Sequence, residues 1–285
     1  MKKKNVKYLS KFVRLDGKTA VITGASGAIG KQIAAGFLVL GANVVLPSIT
    51  MEEGNGAKAE LVSLGYDESK ISIYQIDLGS NDSVDAFVDA VKDKSINYLI
   101  NNAGVISNKW AYPVNFTGTV YLTAKLTPLL NKNPNSTVVF QSSLSYQFGK
   151  VDWSDVRGDN LIKPIKTYSR SKRLLNLAVV AMKEGFLKNY PNVQYAIAHP
   201  GCVPSDIMGK KSKLSHAIGK RLFHTAETAA LSAILAAIKP VPDDKLVGPR
   251  CLGVWGRPKF KNLHKALFIE SEQEQIKKVL EDILP

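Results

Sequence analysis

The sequence predicts an α/β fold in which one parallel sheet is covered by helices on both faces. Three observations carry this. Short apolar runs alternate with helical stretches from residue 18 to about residue 253. Those runs are apolar at consecutive positions, as in strands buried on both faces. The first run leads through a glycine-rich turn straight into a helix. Together they give the βαβ rhythm of a single Rossmann-type, doubly wound sheet.

In chain order, the expected strands are KTAVIT (18–23), NVVLPS (43–48), ISIYQ (71–75), NYLIN (97–101), TVVFQ (137–141) and VQYAIA (193–198). Helices are expected over 28–40, 51–64, 80–93, 114–130 and 165–190. A further helix over 225–238 starts after Thr225, with Glu227 in its first turn. The last, over about 269–283, is amphipathic through Ile276, Val279, Leu280 and Ile283. Pro113 is tolerated in a first helical turn and not deeper, so the fourth of these helices is expected to start there. There is no internal repeat.

At 285 residues the chain is long enough for one large domain, and no Pro-rich or Gly/Ser-rich linker divides it. A basic arm, 1–16, is expected to precede a domain spanning 17–285. Apolar content is 45% and charged content 22%, ordinary for a globular protein. No apolar run approaches the ~18–20 residues that cross a bilayer, so no transmembrane segment is expected. The start, MKKKNVKYLSKFVR, lacks the apolar stretch of a cleaved signal. Two readings of it stay open: a basic amphipathic arm using Val6, Leu9 and Val13, or a solvated tail.

Two cysteines, Cys202 and Cys251, make neither a disulfide framework nor a metal cluster, which implies a reducing, cytoplasmic setting. The histidines at 199, 216, 224 and 264 lack ligand spacing, so no metal is expected. The net charge is +14, but the lysines are dispersed and not interleaved with aromatics, which argues against nucleic acid. A positive field that attracts a phosphate-bearing cofactor accounts for it.

The first strand ends in Thr23-Gly24-Ala25-Ser26-Gly27-Ala28-Ile29-Gly30. Glycines at such a turn let backbone N–H groups approach a pyrophosphate, and Gly30 lets the helix sit close on the sheet. A dinucleotide site often carries an acid at the end of the second strand for the ribose 2′-hydroxyl. Here Ser48 stands there, with no acid and no arginine, and Lys31 is the nearest cation in sequence. On charge grounds NADP is expected over NAD. Asp77 ends the third strand, as an adenine acceptor or a helix cap.

Beyond that turn, the order of motifs resembles the short-chain dehydrogenase/reductase family, on its retinol-dehydrogenase and carbonyl-reductase side. The stretches are TGASGAIG, Asp77-Leu78, Asn101-Asn102-Ala103-Gly104, Asn115, Ser142-Ser143, Tyr168-Ser169-Arg170-Ser171-Lys172 and His199-Pro200-Gly201, in order from 18 to about 240. The resemblance implies an NAD(P)-dependent oxidoreductase that interconverts a carbonyl and an alcohol. It implies cofactor contacts from Thr23, Gly24, Ser26, Gly27, Ile29, Gly30, Ser48, Asp77, Leu78, Asn102, Ala103, Gly104, Tyr168, Lys172, Pro200, Gly201, Val203 and Ser205. It implies Ser143, Tyr168, Lys172 and Asn115 as catalytic residues, Ser143 being preferred over Ser142 as the family's second serine. Tyr168 and Lys172, four apart, share one helix face. A phenol with pKa about 10 is too weak a base at neutral pH, and a nearby ammonium lowers it. Tyr168 would then exchange the substrate proton, Ser143 would hold the substrate oxygen, and Asn115 would hold a water next to Lys172. His199 is expected to pack.

Three departures from the family matter. Gly27 stands one place early and Ala28 replaces a glycine. The segment from Gly104 to Asn115 is short. Twenty-four residues, Phe148 and Trp153 among them, separate Ser143 from Tyr168. The family often dimerises through the helices carrying Asn115 and Tyr168, so a monomer, or a dimer built on another surface and anchored by Trp153, is expected. A lid is expected over about 202–224, where Met208, Leu214, Ile218 and Leu222 imply an apolar small-molecule substrate. A cofactor-binding scaffold with little turnover is the alternative. An epimerase or dehydratase would need a longer substrate domain than follows Lys239.

Overall fold

The computed structural model describes residues 1–203 and 225–284. Its centre is an eight-stranded sheet in the order β3-β2-β1-β4-β5-β6-β7-β8. The strands are β1 Thr19–Ile22, β2 Asn43–Ser48, β3 Ile71–Gln75, β4 Tyr98–Asn101, β5 Ser136–Gln141, β6 Val193–Ala198, β7 Lys245–Cys251 and β8 Trp255–Asn262. All neighbours pair in parallel except β7 and β8, which form an antiparallel hairpin. The six expected strands are present, and β2, β3 and β6 have the expected ends.

Successive strand residues feed opposite cores. Val138 and Phe140 enter the core beneath α4 (Asn81–Val91), α5 (Gly118–Asn131) and α6 (Pro164–Glu184). Val139 enters the core beneath α2 (Ala28–Val39) and α7 (Ala226–Ile238). Because both faces are covered, the strands read as unbroken apolar runs. Helix α3 (Met51–Ser63) is capped by Thr50, whose Oγ1 accepts from Glu53 N at 3.2 Å. Helix α8 (Glu270–Glu281) lies on α6, tied by an Arg173–Glu272 ion pair at 3.0 Å.

The helix expected over 165–190 ends at Glu184, β7 and β8 lie where no strand is expected, and two further regions differ. The N-terminus is not a solvated tail: α1 (Lys3–Leu9) is docked, with Leu9 1% exposed and Lys2 N and Asn5 Nδ2 both donating to Glu227 Oε2 at 3.1 Å. Of the residues expected to form an apolar face, Leu9 is buried inward and Val13 is 82% exposed. Helical hydrogen bonding also begins before Pro113, with Ala111 N to Ser107 O at 3.2 Å and Val114 N to Trp110 O at 3.0 Å. Pro113, which has no N–H to donate, falls between these two bonds. Pro113–Thr117 is then a π-helical turn that runs into α5.

The β7–β8 hairpin turns at Leu252 (φ 48°) and Gly253 (φ 74°). Two positive φ values in a row are the mirror-image turn that favours Asn-Gly, and leucine there is held in a conformation costing about 1–2 kcal/mol. No helix among the described residues is long and apolar enough to cross a membrane.

Candidate active site

The sheet order reverses at β1, between β2 and β4, and a cleft opens at the carboxyl ends of these strands, where such sheets bind ligands. Thr23, Gly24, Ser26, Gly27, Ile29, Gly30, Ser48, Asp77, Leu78, Asn102, Ala103 and Gly104 all line it, enclosing about 290 Å³. Sequence reasoning pointed to these residues, and the structure adds what several of their side chains do within the chain. Thr23 Oγ1 accepts from Asn102 N and Ala103 N, both at 3.0 Å, while Asn102 Nδ2 donates to Thr23 O at 2.9 Å. These two side chains latch the crossing turns together. Gly24 has φ 66°, and a Cβ on it would fall 2.8 Å from Ala103 Cα. A Cβ on Gly30 would collide with Gly24 O and lie 2.6 Å from Asn102 Nδ2.

These residues fit a dinucleotide. Helix α2 begins after Gly27 with no side-chain cap and no acid in its first turn, which leaves N–H groups for an anion. The early Gly27 and the alanine at position 28 therefore fall where the helix simply starts. Ser48 Oγ is buried without a partner. Asp77 is not the helix cap, which is Ser80, but its Oδ1 does accept from Gly79 N at 2.8 Å. Lys31 lies outside the lining and is ion-paired with Glu60.

Sequence reasoning missed Glu53, which lines the same cleft as Ser48. Its signal was present in Thr50-x-x-Glu53, the spacing of a helix start, which places that acid in the first turn beside the strand end.

Beyond Gly104 and Val105 stand the groups on α6. Lys172 is 3% exposed, and its Nζ donates to Gln141 O at 2.8 Å. Burial holds its pKa down at about 8. Tyr168 is half-buried, and its hydroxyl faces Ser143. Burial pushes the phenol above its ordinary value, and Ser143 draws it partly back. The expected pull from Lys172 is not what governs it, since Nζ lies 5.9 Å from the ring centroid and points to a carbonyl. Ser143 caps the following turn, with Ser145 N at 3.3 Å from its Oγ. Ser142 is 1% exposed and accepts from Asn176 Nδ2 at 2.9 Å, so it is committed to the core.

Asn115 is fully buried in the π-turn. Its amide holds Val105 N at 2.8 Å and Val105 O at 2.9 Å, and donates to Ser171 Oγ at 3.0 Å. The short 105–114 segment is thereby fixed against α6, with the Asn115 side chain fully used. His199 is 2% exposed and its Nδ1 accepts from Gly201 N at 3.2 Å, so it braces the turn after β6. Pro200 and Gly201 form that turn, and Val203 is half-buried just beyond. Ser205 and nearly all of the expected lid, 204–224 with Met208, Leu214, Ile218 and Leu222, lie outside the described residues.

Comparison with known proteins adds four findings. The profile of the family described as short chain dehydrogenase matches residues 18–213. The chain is similar to retinol dehydrogenase 12 of Bos taurus, 27% identical over 267 residues, covering 88% of this chain and 83% of that protein. It is also similar to retinol dehydrogenase 12 of Mus musculus, 30% identical over 206 residues, covering 68% of this chain and 64% of that one. An uncharacterized protein from Mycobacterium Paratuberculosis shares the fold, with a TM-score of 0.76 at 23% identity over 97% of this chain and 98% of that chain.

Proposed function

From the premise that the chain belongs to the short-chain dehydrogenase family, and is thus an NAD(P)-dependent oxidoreductase, we propose that it interconverts a carbonyl and an alcohol with Tyr168 as general acid/base. The observation that carries this is the Tyr168–Ser143 hydroxyl pair, one helical turn from the buried Lys172. A bound nicotinamide supplies or accepts the hydride. Tyr168 delivers its proton to the substrate oxygen in reduction, or removes it in oxidation. Ser143 donates to that oxygen and steadies its developing charge. Lys172, when protonated, favours the phenolate. Gln141 O and the Asn115–Val105 clamp are positioning groups that fix Lys172 and the wall at Gly104. With the phenol pushed up by burial, the resting form is the acid, which is the form that carbonyl reduction uses.

The cofactor in this reading is NAD(H), the reverse of what the strand end alone implies. Among the described residues, the charged side chains lining the cleft are Glu53 and Asp77, both acids. A 2′-phosphate beside Ser48 would face Glu53, and Lys31 is already paired. The substrate is a small apolar carbonyl or alcohol. The unpaired Cys202 and Cys251 favour the cytoplasm. A monomer is favoured because α8 covers the outer side of α6, and Trp153 Nε1 donates to Glu272 of its own chain at 3.3 Å instead of facing a partner.

The test is a screen of aldehydes, ketones and alcohols with both nicotinamide cofactors, following absorbance of the reduced form. Turnover on an apolar carbonyl is the expected result. Tight cofactor binding with no turnover across the screen would instead favour the scaffold reading.

A further inference from the structure

We propose that the β8 edge docks on an anionic lipid bilayer, with Leu252 and Trp255 entering the interface and the surrounding cations facing the headgroups. Leu252 is 83% exposed and Trp255 44%, both at the tip of the hairpin. Leu252 also has a positive φ, in a turn that asparagine would fill with less strain. A large apolar side chain held in strained backbone and turned to solvent gains nothing for the fold. It gains where that side chain is removed from water.

The charge around it names the occupant. Residues 245–269 contain Lys245, Arg250, Arg257, Lys259, Lys261 and Lys265 and no acid. The Arg257 guanidinium lies 4.9 Å from the Tyr8 ring, which joins this hairpin to α1. Residues 1–15 bring six more cations, again with no acid. Among the described residues, Glu227 accepts from Lys2 N and Asn5, Asp244 pairs with Lys245, and Asp243 pairs with Lys183. Because Leu9 is buried inward, α1 adds charge and leaves insertion to the hairpin. The exposed cations Arg250, Arg257 and Lys259, on the strands beside the exposed leucine and tryptophan, match an anionic bilayer, where both terms add. A nucleic acid would use the cations and aromatics and gain little from Leu252.

Cys202 N donates to Val254 O at 3.3 Å, so the tip stands beside the exit of β6, at the sheet end that carries Tyr168. A docked molecule therefore turns its substrate end toward the bilayer. That last point rests on the function proposed above; docking itself does not.

The experiment is co-sedimentation of the full chain with vesicles of phosphatidylcholine alone or mixed with phosphatidylserine, at low and physiological salt. Binding is expected to the mixed vesicles and to weaken with salt. Leu252→Asn should lower partitioning roughly tenfold while leaving dinucleotide binding unchanged and the thermal midpoint equal or higher, since asparagine suits the turn. Arg250→Glu with Lys259→Glu should lower it on the order of a hundredfold. The proposal is overturned by no binding to mixed vesicles, by equal binding to phosphatidylcholine alone, or by binding that survives either change. Dinucleotide binding without vesicle binding would overturn the docking and leave the oxidoreductase reading standing.

Discussion

The two ends of the cleft are built from different materials. The dinucleotide end is backbone: Gly24 and Gly30 let two turns cross at van der Waals distance, and the side chains of Thr23 and Asn102 are consumed in locking them. The α6 end is side chains: Tyr168, Ser143 and Lys172 hold their places through burial and a few hydrogen bonds. A backbone-built end tolerates no added atom and is indifferent to pH. A side-chain-built end keeps its shape after a conservative change and loses its chemistry.

The largest expected effect tests that division directly. Tyr168→Phe should keep cofactor affinity within a few-fold and lower turnover by about 10²–10⁴, measured by titration alongside initial rates. Loss of cofactor binding in that variant would show that the two ends are not separable. Lys172 gives the next effect. Its folded pKa, about 8 against an ordinary 10.5, means that folding opposes protonation. The penalty is fully present below pH 8 and vanishes as pH rises through 10.5. Lys172→Met should therefore stabilise the cofactor-free chain by up to about 3 kcal/mol near neutral pH, with the advantage gone near pH 11. Denaturation curves of both proteins across that range check it, and a pH-independent difference would refute it.

Gly30→Ala should cost about 1–3 kcal/mol in stability and weaken cofactor binding, at every pH, because the added methyl meets Gly24 O. An alanine variant with unaltered affinity would mean that the turns are looser than described. The smallest effect sharpens the comparison inside the dinucleotide end. There Glu53 is the one side chain argued to discriminate. Glu53→Gln should raise affinity for NADPH relative to NADH by about tenfold, and an unchanged ratio would remove Glu53 from cofactor choice.

What was legible in the sequence follows the same physics. Strands β1 to β6 are buried on both faces and so declare themselves as apolar runs. Strand β8, WGRPKFKN, contains glycine, proline and three cations, and is a strand only because β7 supplies its ladder. The docking of α1 was illegible because its partner Glu227 lies 225 residues from Lys2. At the site, residue types and order located Ser143, Tyr168 and Lys172, but not that Lys172 is aimed at Gln141 O, which is a property of packing. The proposed NAD(H) preference departs from the expected NADP for a related reason. It examined the strand end in isolation, while Glu53 approaches from the first turn of the next helix.

Strand β8 also settles how the sheet stops. Every other strand of the sheet except β3 has neighbours on both sides, whereas β8 leaves one row of backbone groups unpaired. An open row of that kind is a template on which a second copy can add a strand. Here Pro258 removes an N–H from the middle of β8, and Arg257, Lys259 and Lys261 crowd like charge along it. A second β8 laid alongside would bring its own cations against these. Concentrated solutions should therefore hold discrete particles rather than ribbons growing from sheet edge to sheet edge, and the protection is written into eight residues that contribute little to either core.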